Sequence, residues 1–94
     1  MTLTDTQLLE VEEMAKCFFM PREIALVLQV PVAEFEEACK EEGTKVYQAY
    51  WKGWYTSTYE HRKKVITLAN QGSSPAQTMV GKMIEDAKAN LIKR

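Results

Sequence analysis

The sequence predicts an all-α protein: an N-terminal helix-turn-helix unit of three helices over residues 1–43, followed by a long antiparallel helical hairpin over 44–94, together in a single domain. Three observations carry this. Apolar residues recur at spacings of three and four, and no alternating run competes as a strand. Capping residues punctuate the chain at Thr4, Thr44 and Ser74. A hydrophobic share of 46% beside a charged share of 27% is that of an ordinary packed protein. With 94 residues the core can only be modest, so association with further subunits is expected.

The first helix begins at a capping box, Thr4 with Gln7, in which hydroxyl and amide satisfy backbone N–H groups that no helical turn reaches. Leu8, Val11, Ala15 and Phe18 make its apolar stripe, and Met20-Pro21 is expected to end it, because the residue before proline is pushed out of the helical region. A short second helix runs from Pro21 to Leu28 with Ile24, Ala25 and Leu28 inward. After a turn at Gln29-Val30, Pro31 starts a third helix that buries Phe35, Ala38 and Cys39, with Gly43 as a left-handed C-cap. Thr44 caps a fourth helix reaching about Gln71, roughly 40 Å at 1.5 Å per residue. Tyr47, Tyr50, Trp51, Trp54, Thr58, Val65, Leu68 and Ala69 form its apolar face, and Gly53 marks a kink or a close helix approach. Gly72 ends this helix. Ser74 caps the last one, with Pro75 at its first position and Gln77 completing a second capping box. Val80, Met83, Ile84, Ala87 and Leu91 are expected to pack it back along the fourth helix.

Charge is distributed unevenly. Residues 1–43 hold ten acids against three bases, and residues 44–94 hold nine bases against three acids. Such a chain can hold a polyanion with its basic half or pair head to tail with its own copies. No apolar run is long enough for a bilayer and the N-terminus lacks a signal-peptide layout, which predicts a cytoplasmic protein with no membrane partner. Cys17 and Cys39 fall on apolar helix faces and are expected to be buried, reduced thiols.

Residues 22–38, REIALVLQVPVAEFEEA, match a helix-turn-helix where packing dictates residue type. Ala25 is the small residue at the helix contact, Val30 fills the turn, and Phe35 and Ala38 face Ile24 and Leu28. The turn calls for a left-handed residue, which Gln29 can supply at modest cost. The exposed face of the third helix is acidic, at Glu34, Glu36, Glu37 and Glu41, and would repel phosphates in the major groove. Candidate phosphate contacts therefore lie on the fourth helix, at Lys45, Lys52, Arg62, Lys63 and Lys64. Candidate interaction or oligomer residues are Trp51, Trp54, Tyr55 and Tyr59, since six large rings between 47 and 59 cannot all point inward, together with Glu34, Glu37 and Glu41. Catalytic constellations are missing, no cofactor is expected, and His61 has no partners for a metal site.

The order of elements, with the corner PREIALVLQVP and the stretch AYWKGWYTSTYEHRKKVITLANQGSSPAQTMVGKMIEDAK, resembles small helix-turn-helix proteins of bacteriophages and prophages, particularly terminase small-subunit-like proteins. Ala49-Tyr50 and Lys52-Gly53 leading to Leu68-Ala69, Gly72 and Ser74-Pro75-Ala76 carry most of the resemblance. It implies a multimeric DNA-packaging component in the bacterial host cell that binds duplex DNA, has no catalytic activity and hands DNA to a separate large terminase subunit. The residues also allow a protein-interaction adaptor using the acidic face, or a helix-turn-helix transcriptional regulator.

Overall fold

A computed structural model, describing residues 1–92, contains five helices and, among the described residues, no strand: α1 (Asp5–Lys16), α2 (Pro21–Leu28), α3 (Val32–Ala38), α4 (Lys45–Asn70) and α5 (Ser74–Ile92). The fold is all-α. The chain divides into two compact units, Met1–Thr58 and Tyr59–Arg94, and α4 runs through both.

In the first unit α1 begins at the capping box: the Gln7 N–H donates to Thr4 Oγ1 at 3.1 Å and the Thr4 N–H to Gln7 Oε1 at 2.9 Å. It buries Val11 and Ala15 and ends at Lys16, well before Met20-Pro21. The reason is a tighter closure that Pro21 does not announce. Phe18 adopts a left-handed conformation, φ 61°, while its N–H donates to the Ala15 carbonyl and the Phe19 N–H to the Met14 carbonyl. Such a φ is strained for a side chain of this size. Its ring stands edge-on to Trp54, centroids 4.8 Å apart, which offsets part of the cost. Phe18 thus leaves the α1 stripe and is exposed, and Cys17, at the C-cap, is exposed and not buried as its spacing suggested.

Pro21 opens α2, where the Met20 N–H donates to Glu23 Oε1 at 2.7 Å. Gln29 ends it in the expected left-handed conformation, φ 58°. Pro31 is the N-cap of α3 and not its first residue. Ile24, Ala25, Phe35 and Cys39 join Val11, Ala15, Val46 and Tyr50 in one core. Gly43 is not left-handed and does not close α3. Thr44 does that work: its hydroxyl lies 2.8 Å from the Ala38 carbonyl and 3.0 Å from that of Glu41, while its oxygen accepts the Tyr47 N–H at 3.0 Å. A hydroxyl that serves both helix ends removes the need for a glycine turn.

The first half of α4 ties this unit together through polar atoms on apolar side chains. Tyr50 donates its hydroxyl to the Phe19 carbonyl at 2.8 Å, and Trp51 Nε1 donates to the Cys39 carbonyl at 3.0 Å. Ser57 Oγ donates to the Lys16 carbonyl at the end of α1. Gly53 is buried where α1 crosses, and a Cβ there would overlap the Glu12 carbonyl oxygen and lie 2.9 Å from Ala15 Cβ. Of the two roles open to this glycine, close approach is the one observed.

In the second unit Gly72, φ 99°, closes α4 with the same pair of bonds seen at Phe18: its N–H donates to the Ala69 carbonyl and that of Ser73 to Leu68. The cap of α5 is Ser73, not Ser74, its Oγ accepting the Ala76 N–H at 3.3 Å. Ser74 and Pro75 are therefore inside the helix, and Gln77 Nε2 donates to the Ala69 carbonyl at 3.1 Å across the turn instead of completing a capping box. Val65 and Ala76 are buried, and Val80 and Met83 are half-buried. Beyond Met83 the expected packing stops: Ile84, Ala87 and Leu91 are exposed, as is Leu68 on α4. Periodicity reports that a helix has an apolar face, not that its own chain covers it.

Candidate nucleic-acid interface

The five basic candidates divide between the two units. Arg62, Lys63 and Lys64 are exposed on α4 in the second unit. Consecutive helical residues point about 100° apart, so the three spread round the helix and do not form one patch. Lys63 is partly occupied: its ammonium lies 3.3 Å from Glu60 Oε1 and 4.6 Å from the centroid of the Tyr59 ring. Arg62 and Lys64 make no ion pair among the described residues. Lys63 and Lys64 also border a shallow surface depression of about 510 Å³ with Glu60, Thr67 and Leu68.

In the first unit Lys45 and Lys52 stand over a groove of about 470 Å³ between α1 and α4, whose other wall carries Asp5 and Glu12. Lys52 Nζ is 3.7 Å from Glu12 Oε1, so part of its field is offset before any phosphate arrives. Leu8, Leu9, Gln48 and Ala49 complete the groove. It could not be read from the sequence, because its two walls lie some forty residues apart; the seven-residue spacing of Lys45 and Lys52 was the one local trace of it.

The aromatic candidates also separate. Trp51 and Trp54 are half-buried and belong to the packing of the first unit, Trp51 by its bond to Cys39 and Trp54 under Phe18. Tyr55 and Tyr59 are exposed, at 58% and 61%. Tyr55 lies 5.9 Å from Trp51, centroid to centroid. Glu34, Glu37 and Glu41 come together around a shallow concavity with Met1, Ala38 and Thr44, leaving the outer face of α3 lined by carboxylates.

The two thiols differ sharply. Burial pushes Cys39 up to about 11, the nearby Glu36 carboxylate adding to it, so this thiol is protonated and inert near neutrality. In the unfolded chain a thiol titrates near 8.5. Above that pH the unfolded state loses a proton the folded state keeps, so stability is fully present below about pH 8.5 and falls as pH rises towards 11. Denaturation midpoints measured from pH 8 to 11 should show this decline in the wild type and a shallower one in Cys39→Ala. A maleimide added at neutral pH should label Cys17 at once and Cys39 only on unfolding.

Among the described residues no group of three or more His, Cys, Asp or Glu side chains is placed to hold a metal ion, and no helix is long and apolar enough to cross a membrane. No protein-family model matches the chain, and neither the curated proteins nor the solved structures searched contain a match to it.

Proposed function

We propose that this protein is a DNA-associated, multimerising protein of the terminase small-subunit-like kind, without catalytic activity of its own, acting in the bacterial cytoplasm and passing duplex DNA to a large terminase subunit. One observation carries the DNA part: the exposed cations Arg62 and Lys64 on α4, free of carboxylate partners among the described residues, in a unit that by sequence holds seven bases and three acids. In this reading the α2–α3 corner is a helix-turn-helix used as a packing unit. Its outer face, with Glu34 and Glu37 exposed, is the wrong charge for the major groove. Binding then runs through phosphates and carries little base specificity.

A mobility-shift titration on duplex DNA across salt concentrations tests this. Retardation is expected at low salt and should weaken steeply with added salt. Because the two side chains point to different sides of α4, the one on the side that meets the duplex should, on replacement by alanine (Arg62→Ala or Lys64→Ala), reduce the slope of log affinity against log salt by about one, whatever the DNA sequence, and the other should leave it nearly unchanged. Absence of retardation at low salt would remove the DNA reading and favour the adaptor, for which the specific observation is the carboxylate-lined concavity at Glu34, Glu37 and Glu41.

A further inference from the structure

In the second unit one face of α4 combines an open aromatic ring with cations. Tyr59 is 61% exposed and Ile66 44%. Arg62 and Lys63 point about 100° apart round the helix. Tyr59 precedes them by three and four residues and Ile66 follows them by four and three, so both fall in the gap between the two cations. Ring and aliphatic side chain thus form a central line with one cation on each side. The Lys63 ammonium stands 4.6 Å from the centroid of the Tyr59 ring, which holds the two side chains together while Tyr59 stays largely open to solvent. We propose that this face binds single-stranded DNA, an unpaired base stacking on Tyr59 and the neighbouring phosphates reaching Arg62 and Lys63. The inference rests on the DNA part of the proposed function and adds to it a ligand, the unpaired strand, that duplex contact alone does not call for.

The chemistry of the face selects this occupant. In a duplex each base is stacked between its neighbours and offers no π-face, so a duplex would meet Arg62 with phosphate and leave Tyr59 and Ile66 against sugar and water. Unpaired bases present their faces, and stacking them on an aromatic side chain is a sequence-tolerant source of affinity for single strands. An apolar partner laid on Tyr59 and Ile66 would instead bury the Arg62 guanidinium without a counter-charge. Glu60 is engaged by Lys63 at 3.3 Å, and neither Glu85 nor Asp86 of α5 forms an ion pair with Arg62 or Lys63 among the described residues. Phosphate supplies the missing counter-charge and brings a base with it. Because Glu60 offsets Lys63, Arg62 is the main phosphate contact and Lys63 chiefly steadies the ring. From Tyr59 to Ile66 the line covers roughly 10 Å at 1.5 Å per residue, room for a few nucleotides, so the affinity of one such face is modest.

The test is fluorescence anisotropy of a labelled short oligothymidylate, and separately of a labelled duplex, titrated with the full chain at low salt. The wild type should bind both. Tyr59→Ala changes an exposed side chain, so it should keep the wild-type helical circular dichroism, weaken oligothymidylate binding roughly five- to a hundredfold, the range for losing one stacking ring, and leave duplex binding nearly unchanged. Tyr59→Phe and Tyr59→Trp keep a ring and should bind the oligothymidylate at least as well as one another and far better than Tyr59→Ala. Arg62→Ala should lower the salt slope of oligothymidylate binding by about 0.7, and Lys64→Ala, whose side chain is turned away from this face, should leave it nearly unchanged. A wild type that binds duplex but not oligothymidylate overturns the proposal and leaves the DNA reading standing. Equal effects of Tyr59→Ala on both ligands, or none on either, also overturn it, as does a loss in Lys64→Ala equal to that in Arg62→Ala. If Tyr59→Ala lowers the mass of the protein by light scattering and spares oligothymidylate binding, the face is a contact between copies and the proposal falls. A wild type that binds neither ligand removes the DNA reading as well.

Discussion

Gly53→Ala should destabilise the protein by about 2 to 3 kcal/mol, the upper range of overpacking a core. In an open helix the same change has the opposite sign, because replacing glycine by alanine removes backbone freedom from the unfolded chain and gains up to about 1 kcal/mol. The neighbours of Gly53 decide the sign. A methyl group there would overlap the Glu12 carbonyl oxygen and stand 3.0 Å from its carbon and 2.9 Å from Ala15 Cβ. The first two are backbone atoms of α1 and cannot rotate aside, so the helices must separate and loosen Val11, Ala15 and Tyr50 behind them. Gly81 is the internal control, since nothing lies within 4 Å of a Cβ built on it. Gly81→Ala should stabilise by about 0.5 to 1 kcal/mol. Urea denaturation followed by circular dichroism measures both, and equal signs for the two variants would contradict the close crossing of α1 and α4.

Where a local interaction decides the structure, the sequence is readable residue by residue. Thr4 with Gln7, Pro21 at the start of α2 and the left-handed Gln29 each need only their near neighbours, and each is found where spacing puts it. Reading fails where a distant group settles a local choice. Nothing in Cys17-Phe18-Phe19 announces a left-handed Phe18, whose ring packs edge-on against Trp54, thirty-six residues on. Gly43 advertises a helix end that the Thr44 hydroxyl provides instead. The candidate site behaves in the same way. The lysines of α4 are visible in the composition, but the pairing of Lys52 with Glu12 is tertiary, and so is the division of the basic residues between two units. The apolar face of α5 was fully legible, and its exposure was not, because periodicity is silent on what covers a face.

Tyr50→Ala should cost about 3 to 5 kcal/mol, the range for truncating a buried large aromatic side chain. Of a net stability in the range of about 5 to 15 kcal/mol, that loss leaves a domain of this size close to unfolding at 37 °C. Tyr50 is 2% exposed, packs against Trp51 and Trp54, and is the one core side chain that also donates to the segment linking α1 to α2, at the Phe19 carbonyl. Tyr50→Phe separates the two contributions: it keeps the volume, forfeits the 2.8 Å hydrogen bond and should cost about 1 kcal/mol, somewhat more if the Phe19 carbonyl finds no water. The same hydroxyl gives an alkaline signature. Burial, with the Cys39 thiolate and Glu23 adding to it, raises Tyr50 above the ordinary tyrosine range. Its contribution is therefore complete below about pH 10 and is lost as pH rises through the folded-state value. Cys39 acts over the window from about pH 8.5 upward, so alkaline loss in the wild type should begin with the cysteine and steepen with the tyrosine. Chemical denaturation at a series of pH values should show Cys39→Ala removing the earlier part of the decline, Tyr50→Phe the later part, and the double variant nearly all of it. A decline of wild-type steepness in the double variant would place its cause outside this core.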